Sequence, residues 1–428
     1  MISIKKILHS NELLKVFSFT GISTLIKLLT SYITVKVMAS IVGPSGIAII
    51  GQLQNFTSII MTLGAGGINN GVVKYVSQYK DDESLLKKII GNGFRITILF
   101  SLVIGIFVLF FSLFLSKWIL LDSALYYVFI FLGLSLILMS INNFFISILN
   151  GYKEFKKFVI VNIITSIVAL IFTLILVYFF NLPGALIANV TYQSVILFVT
   201  IFFVRKSVWY DKKYLLQKFD RKIVRKFLSY SLMALVTAAT MPIAQLLIRG
   251  YLIKEHSITE AGYWEAMNRI SGLYLMFVTT SLGVYYLPKL SEIKNKKLLR
   301  KEVLKTYKFV LPVVFTSLLI MYLVKDFVIV ILFTQEFYPV KNLFSWQLLG
   351  DFFKIASWIL AFILVAKSKT KVFIITEIVF SVSIVLLSYY FINLNGVIGA
   401  TQAYCLNYFL YFIFMLIYFR KLLIFKRT

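Results

Sequence analysis

Charge is scarce in this chain. Only 14% of its 428 residues are charged, against about 25% in a soluble domain, and only 17 are Asp or Glu. There is one cysteine, Cys405, so no intrachain disulfide and no cysteine metal cluster can form. The two histidines, His9 and His256, give no metal-binding spacing and read as surface residues near helix ends. Nothing in the sequence calls for a metal or another cofactor.

What is abundant is apolar surface. The chain is 60% hydrophobic, with a mean hydropathy of +0.90. The apolar residues come in blocks of about 20, the length that spans a bilayer core. Backbone groups in lipid must bond internally, so such blocks are helices. Spans are expected at 17–42, 46–76, 89–115, 124–149, 156–180, 184–206, 227–252, 261–288, 303–325, 340–366, 371–392 and 396–419. The second is too long for one straight span, and Gly64-Ala65-Gly66-Gly67 predicts a bend or break in it. The stretch after Lys5, Lys6 and Lys15 matches a full first span and lacks a small-residue cleavage site, so it reads as a helix and not as a signal peptide.

The net charge of +27 is distributed by side. Of the 44 Lys and Arg, 34 fall in alternate connections assigned to the cytoplasm, and four (Lys117, Lys254, Lys325, Lys341) fall opposite. This is the positive-inside pattern, and it places both termini and a basic central loop inside. It argues for anionic headgroups as neighbours and against nucleic acid. The loop divides the chain into 1–206, an N-terminal six-helix bundle; 207–226, a basic cytoplasmic linker; and 227–428, a C-terminal six-helix bundle. The halves echo each other: Asn181-Leu182-Pro183-Gly184 and Asn393-Leu394-Asn395-Gly396 stand at equivalent turns, as do Gly46 and Gly262. Six helices per half give both halves one orientation, a parallel repeat whose site lies at the interface near the midplane.

Nine charges remain inside the spans: Lys27, Lys36, Arg95, Arg249, Arg269 and Lys354 against Glu265, Asp351 and Glu377. Each costs about 2.5–3.5 kcal/mol at a helix centre, so they must pair or line water. Glu265 and Arg269 are four apart and Asp351 and Lys354 three apart, spacings that allow pairing within a helix. Lys27 has no such partner and lies on the stripe Thr20, Thr24, Ser31 and Thr34, which favours an aqueous cavity. Gln52, Asn55, Ser58 and Thr62 share a face of the next span, and Asn142 and Asn143 stand in the fourth. The net positive lining predicts an anionic ligand.

Several stretches carry a family resemblance: STLIK at 23–27, GPSGIA at 43–48, GAGGINNGVVKYVSQY at 64–79, YYLPKLSEI at 285–293, WQLLGDFFKIASWILAFILVAK at 346–367 and NGVIGATQAY at 395–404. On these the chain resembles Wzx-type flippases, the O-antigen and enterobacterial common antigen translocases. These form part of the polysaccharide-transporter branch of the multidrug/oligosaccharidyl-lipid/polysaccharide exporter superfamily. The resemblance implies an all-α integral membrane protein with about twelve transmembrane helices in two bundles around a central cavity. It implies an undecaprenyl-diphosphate-linked oligosaccharide moved from the cytoplasmic to the periplasmic leaflet of the bacterial inner membrane, and no enzyme activity. It assigns roles to Lys27, Lys74, Arg249, Asp351, Lys354 and Glu377.

Arg269 and Glu265 rest on the reading of the residues alone. In that reading Lys27, with Arg269 or Lys354, neutralises the diphosphate, and Gln52, Asn55 and their like bond sugar hydroxyls. Asp351, Glu265 and Glu377 are candidates for exchange of H+ or Na+, or for salt bridges. Glycan polymerase and chain-length proteins are the expected partners. A lipid II flippase, a multidrug antiporter and a membrane-embedded glycan-modifying enzyme are the alternatives.

Overall fold

The computed structural model describes residues 4–423, and among these there are helices and no strand. The side chains of Lys5, Lys6, His9, Lys15 and Thr20 lie outside the described set. The principal helices are α1 (Ile4–Gly64), α2 (Asn69–Tyr79), α3 (Glu83–Phe110), α4 (Tyr126–Gly151) and α5 (Phe155–Val204). They continue with α6 (Arg221–Glu255), α7 (Ile258–Ser281), α8 (Lys296–Leu323), α9 (Phe344–Ala366) and α10 (Thr370–Tyr418). Among the described residues, eight helices are long and apolar enough to cross a membrane. The protein is a multi-pass membrane protein.

Three of the long helices are interrupted by one device. A single residue swings to positive φ and the helix restarts: Gly43 (φ 63°, ψ −172°), Asn181 (φ 50°, ψ −130°) and Gly396 (φ 58°, ψ −141°). Glycine adopts this backbone freely, and asparagine tolerates it better than other residues. A second glycine stands three residues beyond each break, at Gly46, Gly184 and Gly399. Gly184 lies against the carbonyl of Leu176 and Gly399 against that of Phe391, five residues before their breaks, so the reversed chain can close on itself only without a Cβ. The repeat therefore matches Asn181 with Gly396. That is three residues away from the match of Asn181 with Asn393 that the letters suggest.

The expected break at Gly64–Gly67 is present. Gly66 and Gly67 have φ of +67° and +65°, and the Gly67 amide closes α1 by donating to the Thr62 carbonyl at 2.9 Å.

The chain forms two compact units. The first comprises Met1–Ile41 and Gln52–Ala239, the second Val42–Gly51 and Thr240–Thr428. In the first, α4 packs on α2, α3 and α5. On α3 one stripe, Leu99, Val103, Ile106 and Phe110, is exposed at helical spacing and suits lipid. The opposite stripe buries Thr97, Ser101 and Gly105. Gly105 faces Gly133 of α4 closely enough that a Cβ would lie 2.8 Å from the Gly133 carbonyl oxygen. Small residues at such seams let backbones approach where no hydrophobic effect drives helices together.

The basic 205–220 segment is no free linker. Trp209 is fully buried, packs within 6.4 Å of the Tyr152 ring and donates to Glu154 at 3.0 Å. Arg95 donates to the Gln217 carbonyl at 2.7 Å, and Asn92 donates to the Lys218 carbonyl while accepting from the Asp220 amide. Arg95 thus serves the loop.

In the second unit α9 packs on α7, α8 and α10, and its core gathers Trp264, Tyr286, Ile359, Leu364, Tyr404 and Tyr408. The glycine device predicts the behaviour of three variants. Gly184→Ala and Gly399→Ala force a Cβ into a carbonyl and lose about 1–3 kcal/mol. Gly272→Ala, where nothing lies within 4 Å, does not. Thermal unfolding in detergent measures this, and equal midpoints for all three would contradict the packing argument.

Candidate functional site

The intramembrane charges of the second unit form two groups, and both depend on where small residues let helices approach. At Gly51 a Cβ would sit 2.6 Å from the Glu265 carboxyl carbon, so glycine there makes room for the acid. Glu265 projects from α7 and takes hydrogen bonds from two guanidiniums, Arg249 of α6 and Arg269 one turn along its own helix. The Arg269 bond is 3.0 Å long. Arg249 is 1% exposed, and its guanidinium lies 5.4 Å from the Trp264 ring. The expected Glu265–Arg269 pair is therefore present, extended by Arg249 into a triad.

The second group surrounds Asp351, which is fully buried on α9. Its carboxylate accepts from Ser271 at 2.8 Å, from Tyr274, and from Tyr404 at 2.6 Å. Lys354 donates to the same Tyr404 hydroxyl at 3.1 Å. Asp351 and Lys354 are thus joined through a tyrosine on α10. The rings of Trp358, Tyr404 and Tyr408 stand 4.8–5.2 Å from the Lys354 ammonium, a cation–π cage. Beside it lies a cavity of about 150 Å³ lined by Lys354, Glu377 and Asn407 among others. Together the second unit sets three intramembrane cations, Arg249, Arg269 and Lys354, against three acids, Glu265, Asp351 and Glu377.

The first unit is different. Lys27 is exposed near the middle of its span, with Thr24, Ser31 and Thr34 half-buried beside it. Lys36 is half-buried on the same helix, and Lys74 is exposed on α2 with its ammonium 5.6 Å from the Tyr75 ring. Gln52 is buried at 5% exposure, and Asn55 is half-buried. Neither lines a cavity found in this unit, a space of about 440 Å³. That cavity is lined from α1 by Gln54, Thr57, Ser58, Met61 and Thr62, so of the expected polar face only Ser58 and Thr62 reach it. Of the two α4 asparagines, Asn143 faces it, while Asn142 accepts from Thr200 at 2.6 Å inside the core. Asn69 of α2 with Gln193, Tyr192 and Asn189 of α5 completes the lining, and the α5 residues carried no periodic signal that would have singled them out. Among the described residues no group of three or more His, Cys, Asp or Glu is placed to hold a metal ion.

With this geometry in view, the relatives decide the family. Residues 13–294 match the family described as polysaccharide biosynthesis protein. The chain belongs to that family. A lipid III flippase of Escherichia coli (strain K12) is 28% identical over 403 residues, which is 94% of this chain and 96% of that protein. In fold, the chain is similar to a multidrug resistance MATE family transporter of the MOP superfamily in an inward-facing conformation. That likeness has a TM-score of 0.76 at 15% identity and covers 92% of this chain and 95% of that one. It is also similar to the lipid II flippase MurJ in an inward closed conformation. Here the TM-score is 0.75 at 16% identity, covering 95% of this chain and 87% of that one. The fold of this member of the polysaccharide biosynthesis family is thus that of MOP-superfamily transporters.

The triad makes an energetic prediction. Glu265→Gln leaves Arg249 charged and buried without its carboxylate, at about 3–5 kcal/mol. The triple variant Arg249→Met, Glu265→Leu and Arg269→Met removes all three charges and recovers most of that loss. Unfolding midpoints in detergent read the difference; a single variant as stable as the parent would mean that the triad contributes nothing.

Proposed function

We propose that this protein is a flippase that moves a polyprenyl-diphosphate-linked oligosaccharide from the cytoplasmic to the periplasmic leaflet of the bacterial inner membrane. It does so by alternating access of two six-helix halves, with both termini inside. The near full-length similarity to a lipid III flippase supports the lipid-linked glycan class. The observation that carries the chemistry is Lys27, an exposed ammonium in the middle of a span on a helix face of hydroxyls. A mid-span charge that no protein covers needs water or an anion. Lysine is a compact point charge suited to phosphate. The lipid tail stays in the bilayer while the diphosphate passes Lys27.

A multidrug antiporter for cations is the second reading, and the acids speak against it. Glu265 is occupied by two guanidiniums and Asp351 by three hydroxyls. Neither carboxylate is left for a drug.

The driving force follows from charge. Moving one charge across 100 mV is worth about 2.3 kcal/mol. With the inside negative, an anionic head moving outward runs downhill, and the membrane potential suffices without an exchanged ion. In proteoliposomes transport is expected to follow imposed voltage; a response to a pH or Na+ gradient alone would refute this drive. Lys27→Ala is expected to abolish surface glycan at unchanged protein level and to leave the lipid-linked precursor on the cytoplasmic face, whereas Lys27→Arg retains part of the display. Normal display from Lys27→Ala would remove the lysine from the mechanism.

A further inference from the structure

The cavity of the first unit has walls that hydrogen-bond and carry no charge. On α1, Gln54, Thr57, Ser58, Met61 and Thr62 recur at intervals of three and four, the stripe of one helix face. Opposite them Asn143 donates to the Gln193 carbonyl oxygen at 3.4 Å, and the Gln193 amide donates to the Tyr192 hydroxyl at 3.0 Å. The chain of bonds therefore ends on a hydroxyl whose own proton is left to point elsewhere. Two further groups of the lining are buried without a hydrogen-bond partner: the hydroxyl of Thr57, a residue only 5% exposed, and the side-chain oxygen of Asn69. An unsatisfied buried polar group costs about 1–3 kcal/mol, so turning either side chain toward a hydrogen-bonding ligand in the cavity is favoured. A second cavity, of about 340 Å³, shares Thr62 and Asn69 with the first and adds Asn70 and Thr237, again uncharged. Each lies in the range of about 300–1,000 Å³ that holds small-molecule ligands.

We propose, resting on the flippase reading above, that this cavity holds the sugar part of the lipid-linked substrate and that it selects uncharged sugars, hexoses and N-acetylhexosamines, over uronic acids. Amide and hydroxyl walls match hydroxyl and acetamido groups in both donor and acceptor sense. A lipid tail would leave these walls unpaired. A carboxylate sugar would meet a lining that holds no cation to pair with it, and a charge that gives up water for unpaired walls loses free energy. The same absence keeps the diphosphate out and leaves it to the lysine of the first span. A site built to hydrogen-bond one ligand discriminates strongly against one that leaves its groups unpaired.

The test uses the full-length protein in two bacterial strains that lack their own flippase. One assembles an undecaprenyl-diphosphate-linked repeat of neutral hexose and N-acetylhexosamine; the other carries the same repeat with one hexose replaced by a uronic acid. The parent protein is expected to display the neutral glycan at least tenfold better than the acidic one at equal membrane level. Gln193→Leu and Asn143→Leu are expected to lose at least tenfold of the neutral display. Tyr192→Phe, which removes one hydroxyl and keeps the ring, is expected to lose several-fold with an unchanged unfolding midpoint. Equal display of both glycans by the parent, or full display by Gln193→Leu and Tyr192→Phe, would overturn the proposal and reduce the cavity to a water-filled space while leaving the flippase reading intact. No display of either glycan by the parent would instead defeat the flippase reading itself.

Discussion

In hydrocarbon a peptide N–H has no water to bond, and every other feature of this chain is arranged around that shortage. Helices meet it along their length, and the difficulty is concentrated where a helix must end and another begin. The breaks at Gly43 and Asn181 spend a single non-helical residue on the reversal, and the third spends two, Asn395 and Gly396. Where the contacts are described, at Asn181 and Gly396, a glycine three residues on packs against the carbonyl of the incoming helix. A longer connection would expose more unpaired backbone, and a Cβ at Gly184 or Gly399 would hold the two segments apart.

The same shortage governs side chains, and the two units answer it differently. The second unit keeps charges in its interior and balances them: one carboxylate between two guanidiniums, another wrapped by three hydroxyls with a lysine on the far side of Tyr404. The first unit keeps its interior uncharged around Asn143, Gln193 and Tyr192, and its mid-span cation Lys27 is left exposed. Buried charge in the second unit therefore holds the packing together, since removing Glu265 leaves two guanidiniums, and removing Asp351 leaves Lys354, without that carboxylate in low dielectric.

Block length and the alternation of basic loops made the helical membrane architecture readable before any coordinates, because both follow from bilayer thickness and loop charge. The hairpin breaks were readable as glycine and asparagine, although their register was not. Letters aligned Asn181 with Asn393, whereas backbone dihedrals align it with Gly396. The Glu265–Arg269 pair followed from helical spacing. The Asp351–Lys354 link did not, because its bridging hydroxyl comes from Tyr404, some fifty residues on, and i,i+3 spacing says nothing about a neighbouring helix. Polar residues on α1 occur on more than one face, so periodicity alone could not choose Gln54 and Thr57 over Gln52 and Asn55. The packing of α4 and α5 makes that choice. The burial of Trp209 was hidden by the basic residues around it, which made the segment read as a basic linker.

Charge balance also constrains how any ion coupling would act. The positive surplus among the intramembrane residues resides in Lys27, Lys36 and Arg95, because the second unit's three cations meet three acids. Arg95 is committed to a loop carbonyl, whereas Lys27 is exposed in mid-span. In the second unit each of two carboxylates already has partners, Glu265 two guanidiniums and Asp351 three hydroxyls, so an ion exchanged there would have to displace groups that are costly to leave unpaired in a low-dielectric interior.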